Sequence, residues 1–185
     1  MISVVIPTLN GARSLRSALP PLVDGVVEGL ITTVTFIDGG STDATHEIAE
    51  ASGAQFVPLS QAVNKPLVQA VERASQWLLF QPQNAVLPPG WMEAARHHMR
   101  TQPEGVAIFP YRLAAAGFAN RMRESAAVAA FTLSGGAHPY FAALAPMTAI
   151  EAANILGGCR DASHLLKGVN APRVMQKVAV TITLL

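Results

Sequence analysis

Small polar and acidic side chains follow the first two apolar runs of this sequence, where a folded chain would present them to a ligand. Thr8 and Asn10 follow the first run, and Asp38 with Gly39 follows the second. A carboxylate such as that of Asp38 accepts hydrogen bonds from ligand hydroxyl or ring N–H groups. Asp43 has an alternative role, because a negative charge in the first turn of a helix interacts favourably with the helix dipole. The loop that begins at Asp38 is therefore a candidate ligand-binding loop, and we expect a structural role for Asp43.

The polar residues after the fourth apolar run carry no charge. Gln81, Gln83 and Asn84 offer neutral carbonyl oxygens, and no acidic residue lies between Glu72 and Glu93. Protein sites for Mg²⁺ usually include one or two carboxylates beside phosphate oxygens and water. The sequence therefore predicts that this loop holds no divalent cation in the absence of a ligand.

Two titratable residues near the C-terminus are candidates for a general base. Asp161 and His164 stand three positions apart, so a helix would place them on the same side. The alternative is that both belong to a solvent-exposed helix end. Cys159 is the single cysteine, which excludes an internal disulfide and a cysteine-based zinc cluster.

Two hydrophobic patterns alternate over the first 110 residues and predict the elements that position these side chains. Short apolar runs predict buried strands at 2–7, 32–37, 54–58, 77–80 and 105–109. Helical spacing predicts helices at 12–27 with a break at the proline pair, from Ser41 or Thr42 to 52, at 64–75 and at 91–100. The alternation predicts an α/β fold with a mainly parallel sheet flanked by helices, whose ligands bind at the carboxyl ends of the strands.

The pattern changes after residue 110. Segments 118–132 and 147–156 have helical spacing, and 174–185 is predicted to be a terminal strand. Residues 125–150 contain no Asp, Glu, Lys or Arg. A helix of ~20 mostly apolar residues would span a membrane, but the glycines and prolines here favour a helix–loop–helix packed on the domain. Peripheral membrane contact stays open.

Composition limits the class of protein. Of the 185 residues, half are hydrophobic and 14% are charged, as is typical of one globular domain. Thirteen basic and twelve acidic residues leave a net charge of +1, so nothing indicates a nucleic-acid partner. The N-terminal segment lacks the basic region and the apolar length of a signal peptide, which favours a cytoplasmic location.

Three motifs resemble those of the family 2 glycosyltransferases. They are SVVIPTLN at 3–10, FIDGGSTDAT at 36–45 and WLLF…LPPGW within 77–91, and the second resembles the subgroup whose motif reads DGGSTD. The resemblance covers residues 1–110 and implies a GT-A-type, Rossmann-like fold for a nucleotide sugar. It implies that the turn of Pro7, Thr8 and Asn10 lies against the nucleotide, and that Asp38 with Gly39 helps to hold the base and ribose.

The chain departs from that family at its metal and base motifs. Counting back from the LPP sequence, Asn84 stands where the family has a metal-binding Asp. Gly157 and Gly158 resemble the turn before the family's base, but Leu165 and Leu166 stand where an acidic pair is expected. We therefore expect Mg²⁺ or Mn²⁺ only if a nucleotide diphosphate sugar recruits it.

Two functional hypotheses follow from this resemblance. The first is an inverting glycosyltransferase that moves a sugar from a nucleotide diphosphate sugar to an acceptor. The second is a catalytically inactive GT-A-type scaffold that binds a nucleotide, a protein or a membrane surface. In both, residues 1–185 form a single domain, with a nucleotide-binding half at 1–110 and a reduced acceptor-side half at 111–185. The sugar, the acceptor and the oligomeric state are not predicted.

Overall fold

A computed structural model describes the chain at residues 1–70, 75–115, 117–134, 138–155, 157–159, 161–177 and 179–182. Its strands are β1 (Ile2–Thr8), β2 (Ile31–Asp38), β3 (Gln55–Pro58), β4 (Trp77–Phe80), β5 (Ala85–Val86), β6 (Val106–Phe109), β7 (Tyr111–Leu113), β8 (Ala142–Pro146), β9 (Arg173–Met175) and β10 (Val180–Ile182). Its helices are α1 (Ala12–Ala18), α2 (Pro20–Val27), α3 (Thr45–Ser52), α4 (Leu59–Ala62), α5 (Leu67–Ala70), α6 (Trp91–Thr101), α7 (Phe118–Ser134), α8 (Met147–Ala152) and α9 (Ala162–Gly168).

Seven strands form the central sheet in the order β3-β2-β1-β4-β8-β6-β9. The β1/β2, β1/β4, β2/β3 and β6/β9 pairs are parallel, whereas β8 is antiparallel to both of its neighbours. A second sheet has the order β5-β10-β7. The predicted α/β fold, with a mainly parallel sheet flanked by helices, is therefore confirmed.

The middle of the central sheet forms the core. All residues of β4, β6 and β8 are buried, and so are six of the seven residues of β1. Strands that are covered by helices on both faces bury the side chains of both faces, which explains their continuous apolar sequences. Pro20 and Pro21 also break the predicted helix 12–27 into two helices, because α1 ends at Ala18 and α2 begins at Pro20.

The uncharged stretch 125–150 differs from the predicted helix–loop–helix. Its first part completes α7, but residues 142–146 form the buried strand β8 before α8 begins. The sequence AALAP has no strand-like pattern of its own. It is extended because β4 and β6 supply hydrogen-bonding partners on both sides, and tertiary pairing overrides local propensity.

Three further boundaries differ from the prediction. The segment 64–75 becomes helical only at Leu67, because the residue before Pro66 is biased away from helical backbone angles, and 71–74 lie outside the described residues. Helix α8 ends at Ala152 rather than at residue 156, which is not described. The predicted strand 174–185 is two short strands, β9 and β10, which join different sheets, and 183–185 lie outside the described residues.

The fold bears on the possibility of a membrane-spanning helix. Across the described ranges, no helix combines the length and the apolar character needed to cross a bilayer.

Candidate functional site

The carboxyl ends of the four parallel strands lie at one edge of the central sheet. Thr8 at the end of β1 pairs with Asp38 at the end of β2, which pairs with Pro58 at the end of β3. Val5 pairs with Phe80, so β4 runs in the same direction beside β1 and ends nearby. This is the edge at which ligands bind in open α/β sheets.

A cavity of about 540 Å³ opens at this edge. Several residues singled out in the sequence line it together: Pro7, Thr8, Gly39, Asn84 and Asp161. The opposite wall includes Pro139, Tyr140, Gly158 and Cys159. The volume lies within the range of small-molecule sites, about 300–1,000 Å³. The structure thus brings residues that are up to 154 positions apart in the chain, Pro7 and Asp161, to one cavity, which we call the central cavity.

Two neighbouring cavities share walls with the central cavity. The first, of about 720 Å³, shares Gly39 and Leu59 with it and is also lined by Asp38, His46 and Phe56. The second, of about 570 Å³, shares Pro139 and Tyr140 with it and is also lined by Tyr111, Arg123 and His138. The central cavity therefore lies between an Asp38 side and an aromatic side.

Asp38 is buried, and its carboxylate is occupied by the protein itself. Oδ1 accepts hydrogen bonds from the hydroxyls of Thr8 and Ser41, and Oδ2 accepts from the backbone N–H groups of Gly40 and Ser41. Burial raises the pKa of Asp38, but the hydrogen bonds from Ser41, Thr8 and Gly40 outweigh it and leave the pKa below its ordinary value. An ionised Asp38 therefore holds the second loop against the end of β1.

Asn10 joins the first loop to the second loop. Its backbone N–H donates to the Ser41 hydroxyl at 2.8 Å, and its side-chain Oδ1 accepts from the Thr42 N–H at 2.9 Å. Its φ of 48° lies in the left-handed region, which asparagine tolerates better than most residues. Asn10 is exposed and, unlike Pro7 and Thr8, is not among the residues that line the central cavity.

Asp43 connects the starts of two helices. Its Oδ2 accepts from the backbone N–H of Ala12 at 3.0 Å, at the start of α1, and its Oδ1 accepts from the N–H and hydroxyl of Thr45, at the start of α3. The hydrogen bond from the Thr45 hydroxyl is the main cause that lowers the pKa of Asp43. Asp43 therefore has a structural role, as predicted, but it lies before the N-cap Ala44 rather than in the first turn of α3.

The predicted helix start is corrected by the same contacts. The helix begins at Thr45 with Ala44 as its N-cap, rather than at a cap formed by Ser41 or Thr42. Ser41 and Thr42 are engaged with Asp38 and Asn10 instead, so they lie in the loop before the helix.

The loop after β4 is fixed by Gln83. Its side-chain Oε1 accepts from the Leu9 N–H at 3.0 Å, and its Nε2 donates to the Leu9 carbonyl at 3.2 Å. A Cβ at Gly11 would lie 2.5 Å from Gln83 Oε1, so a larger residue there would displace the Gln83 amide from this contact. The amide of Gln83, one of the neutral groups of this loop, is thus used to hold the first loop.

The described residues do not fit a protein-held divalent cation at this loop. Gln81 is fully buried and donates to the Ala85 carbonyl, and Gln83 is paired with Leu9. Asn84 and Asp161 both line the central cavity, but nowhere in the described ranges do three His, Cys, Asp or Glu residues gather as metal ligands. One amide and one carboxylate, without the phosphate oxygens of a ligand, provide fewer oxygens than a divalent cation normally needs.

Asp161 and His164 are separated by the structure. Asp161 lines the central cavity and is the N-cap of α9, where its Oδ1 accepts from the His164 N–H at 3.0 Å and from the Ser163 hydroxyl. Burial raises the pKa of Asp161, but these hydrogen bonds and the charge of His164 outweigh burial and leave the pKa below its ordinary value. The carboxylate is therefore a weakened base. The His164 side chain is exposed and does not line the cavity.

The turn at residues 157–159 is held by close packing against α4. A Cβ on Gly157 would lie 2.6 Å from the Ala62 carbonyl oxygen, and one on Gly158 would lie 3.0 Å from Val63. Cys159 is buried, and burial raises the pKa of its thiol to about 12. Cys159 is therefore an uncharged part of the wall rather than a nucleophile.

An aromatic cluster that includes Tyr140 of the opposite wall was not predicted from the sequence. The rings of Tyr111, His138, Tyr140 and Phe141 lie 4.9–6.0 Å apart in contacting pairs. Burial lowers the pKa of His138, although the charge of Asp161 opposes this, so the ring is neutral at pH 7. The only local signal was the sequence His138-Pro139-Tyr140, and nothing in it indicated that Tyr111 would pack there.

Curated relatives match a part of the chain. A segment of 79 residues, 41% of this chain, is 40% identical to the glucosyl-3-phosphoglycerate synthase of Mycobacterium tuberculosis and covers 23% of that protein. The protein of the same name from Mycolicibacterium paratuberculosis is 37% identical over 79 residues. The match therefore spans less than a quarter of the length of these relatives. No family model matches the chain.

Solved structures resemble the whole chain. S. aureus TarS 1-349 in complex with UDP-GlcNAc has a TM-score of 0.69 and 16% identity, and the likeness covers 100% of this chain and 58% of that one. Glucosyl-3-phosphoglycerate synthase from M. tuberculosis, in complex with Mn²⁺, UDP and phosphoglyceric acid, has a TM-score of 0.63 and 20% identity, with coverage of 98% and 70%. Both are GT-A glycosyltransferases, and their likeness shows that this chain has the GT-A fold. The motif-based assignment to the DGGSTD subgroup of family 2 stays a prediction.

Proposed function

We propose that this protein binds a nucleotide diphosphate sugar in the central cavity and transfers its sugar, with inversion, to an acceptor. The observation that carries the proposal is that Pro7, Thr8, Gly39 and Asn84, taken from three separate motifs, line one cavity at the carboxyl edge of a GT-A sheet. Structural neighbours with UDP or UDP-GlcNAc bound support a uridine nucleotide as the first ligand to test.

The three neighbouring cavities suggest a place for each part of the reactants. We assign the base and ribose to the Asp38 side, the diphosphate and sugar to the central cavity, and the acceptor to the aromatic side. Because Asp38 already accepts four hydrogen bonds, we assign it the task of holding Gly39 and Gly40, whose backbone then approaches the nucleotide. Asn10 would act in the same indirect way, by holding Ser41 and Thr42.

The proposed step is a displacement at the anomeric carbon. The acceptor oxygen forms the new bond to that carbon as the bond to the diphosphate oxygen breaks, and the acceptor proton passes to a base. Asp161 is the carboxylate among the described residues that line the central cavity, so we assign the proton to it. Its lowered pKa makes it a poor proton acceptor, and we therefore expect slow turnover.

Calorimetric titration tests the binding half of this proposal. The protein is titrated with UDP, UDP-glucose and UDP-GlcNAc, each with and without Mn²⁺, and a nucleotide that saturates one site supports the assignment. Failure of all three, together with failure of the corresponding guanosine and thymidine nucleotides, would overturn it.

Release of UDP from the bound sugar nucleotide tests the catalytic half. Release in the presence of candidate acceptors, weakened by Asp161→Asn, supports transfer. Saturable binding with no release in any acceptor mixture would instead support the inactive scaffold, which the neutral Asn84 and the weakly basic Asp161 would explain.

A further inference from the structure

Helix α7 has two apolar faces, and only one of them is covered. Ala127 and Phe131 are buried against the domain, and Glu124 on the same side accepts from the Leu113 N–H at 2.7 Å. At about 100° per residue, Phe118, Met122 and Leu133 fall together on the opposite side. Their side chains are 82%, 56% and 87% exposed. We call these three residues the outer face of α7.

Basic residues border the outer face. By helical spacing Arg121 lies along one side of it and Arg123 along the other, and both are exposed. Arg112 on the neighbouring strand β7 is exposed as well. The acidic residue of α7, Glu124, points inward and is engaged by the backbone of β7. The exposed surface of this helix therefore combines large apolar side chains with positive charge.

Helix α2 provides an internal comparison. It also exposes apolar side chains, since Val23, Val26 and Val27 are 51%, 47% and 81% exposed. The charged residues beside them are Asp24 and Glu28, however, and Glu28 pairs with Arg96 at 3.0 Å. Exposed apolar residues alone thus do not distinguish α7, but the sign of the charge around them does.

We propose that the outer face of α7 binds a lipid surface that carries anionic headgroups. An amphipathic helix in the plane of the interface inserts its apolar side chains at the headgroup boundary while Arg or Lys at its edges contact the anionic lipids. A second copy of the chain fits less well, because its own outer face brings no acidic side chain to pair with Arg121 and Arg123. The proposal does not depend on the proposed glycosyl transfer.

Sedimentation with vesicles tests the proposal. Vesicles of phosphatidylcholine with about 30 mol% phosphatidylglycerol should retain the protein, and pure phosphatidylcholine should retain less. Salt at about 0.5 M should weaken the binding, since it screens the contacts of exposed arginines. Phe118→Ser with Leu133→Ser should reduce partitioning about tenfold or more, because both side chains leave water in the bound state.

Matched variants separate vesicle binding by α7 from nonspecific binding by other exposed side chains. Val23→Ser with Val27→Ser removes similarly exposed apolar groups from α2 and should leave partitioning unchanged. Arg121→Gln should lower binding to anionic vesicles only, whereas Arg16→Gln, an exposed charge on α1, should have a smaller effect. All these positions are exposed, so unfolding profiles should match that of the wild type.

A fluorescent variant reports the contact itself. The native Trp77 and Trp91 are buried, so a Phe118→Trp change adds an exposed indole whose emission should shift to the blue with anionic vesicles. Val27→Trp should not shift. The proposal is overturned if the wild type does not bind anionic vesicles or if the emission of both added indoles shifts equally. Self-association that disappears in the Phe118→Ser, Leu133→Ser protein would overturn it in favour of a second copy.

Discussion

The two walls of the central cavity are built in different ways. The first wall belongs to the loops at residues 7–12, 38–45 and 81–84, which are joined by hydrogen bonds between the side chains of one loop and the backbone of another. The second wall belongs to residues 138–141, 157–159 and 161, and it is held by ring contacts and by glycines that approach α4 closely. Directional bonds specify positions to a few tenths of an ångström, whereas packing mainly specifies volume and shape.

The difference indicates how each wall would meet a ligand. In the first wall, the side chains of Asp38, Asp43 and Gln83 are satisfied by the protein, so its loops hold their shape without a ligand. Such a preformed surface suits a part of the reactants that does not vary, such as a nucleotide. The aromatic second wall has fewer polar constraints and suits a part that differs between related proteins.

The largest expected effect is on the packing of the second wall. Gly157→Ala should lower the free energy of unfolding by about 3 kcal/mol, because the added methyl would meet a backbone carbonyl that cannot move aside. Gly117→Ala is the matched control, since a Cβ there meets no atom within 4 Å. Denaturant unfolding measures both. Equal stabilities of the two variants would show that the second wall is loosely packed. That result would contradict the difference drawn between the two walls.

The next effect concerns the polar network of the first wall. Asp38→Ala should weaken nucleotide binding by about tenfold to hundredfold, because the loop that approaches the nucleotide loses a charged acceptor whose hydrogen bonds contribute about 1.5–3 kcal/mol. Asp43→Ala should weaken it less, because Asp43 holds the helix starts and does not line the cavities beside Gly39. Titration with UDP compares the two. An equal or smaller loss for Asp38→Ala would contradict the assignment.

A gain of function is expected from one added charge. Asn84→Asp places a carboxylate in the central cavity and should raise Mn²⁺ affinity in the presence of UDP by about tenfold. Asn64→Asp, at an exposed position away from the cavity, is the charge-matched control. Mn²⁺ titration with and without UDP measures both. Tight binding by the ligand-free wild type, lost in Gln83→Ala with Asn84→Ala, would show that this loop holds a metal after all.

The smallest effect separates the two roles of Asp161. Asp161→Asn keeps an N-cap acceptor but loses the charge, so it should be slightly less stable than the wild type at neutral pH, whereas Asp161→Ala should lose about 1 kcal/mol. Because the pKa of Asp161 is lowered in the folded state, its contribution is present at neutral pH and is lost as the pH falls below about 4. Thermal unfolding of the three proteins at neutral and acidic pH measures this. Equal loss in both variants would mean that its charge, rather than the cap, stabilises α9.

The first wall was largely predictable because its signals are local. The β-branched run before Pro7 and the run before Asp38 each specify a strand and the point at which it ends, and a parallel sheet then brings those ends together. What remained hidden was that Asp38 would be saturated by Thr8, Gly40 and Ser41. A sequence shows that a carboxylate is present, but its hydrogen bonds depend on loops that are brought together only by folding.

The second wall was largely hidden because its contacts are distant in the chain. Tyr111 packs on His138 and Tyr140, and Gly157 packs on Ala62, yet no periodic pattern links those positions. Strand β8 gave no signal either, since alanine-rich sequence favours helix in isolation. Whether Asp161 accepts a proton, and whether Pro7, Thr8 and Gly39 touch a nucleotide, stay predictions for the experiments above.

The place of β8 in the sheet has a consequence for synthesis on the ribosome. Strand β6 does not touch β4 directly but joins the sheet through β8, which is made more than thirty residues later. A nascent chain that ends near residue 110 therefore holds β6 with neither of its partners and leaves one edge of β4 open. Such exposed edges recruit other chains, so folding and protection from aggregation both wait for residues 142–146 to emerge. The division at residue 110 marks a change of sequence pattern but does not mark a unit that can complete its sheet during translation.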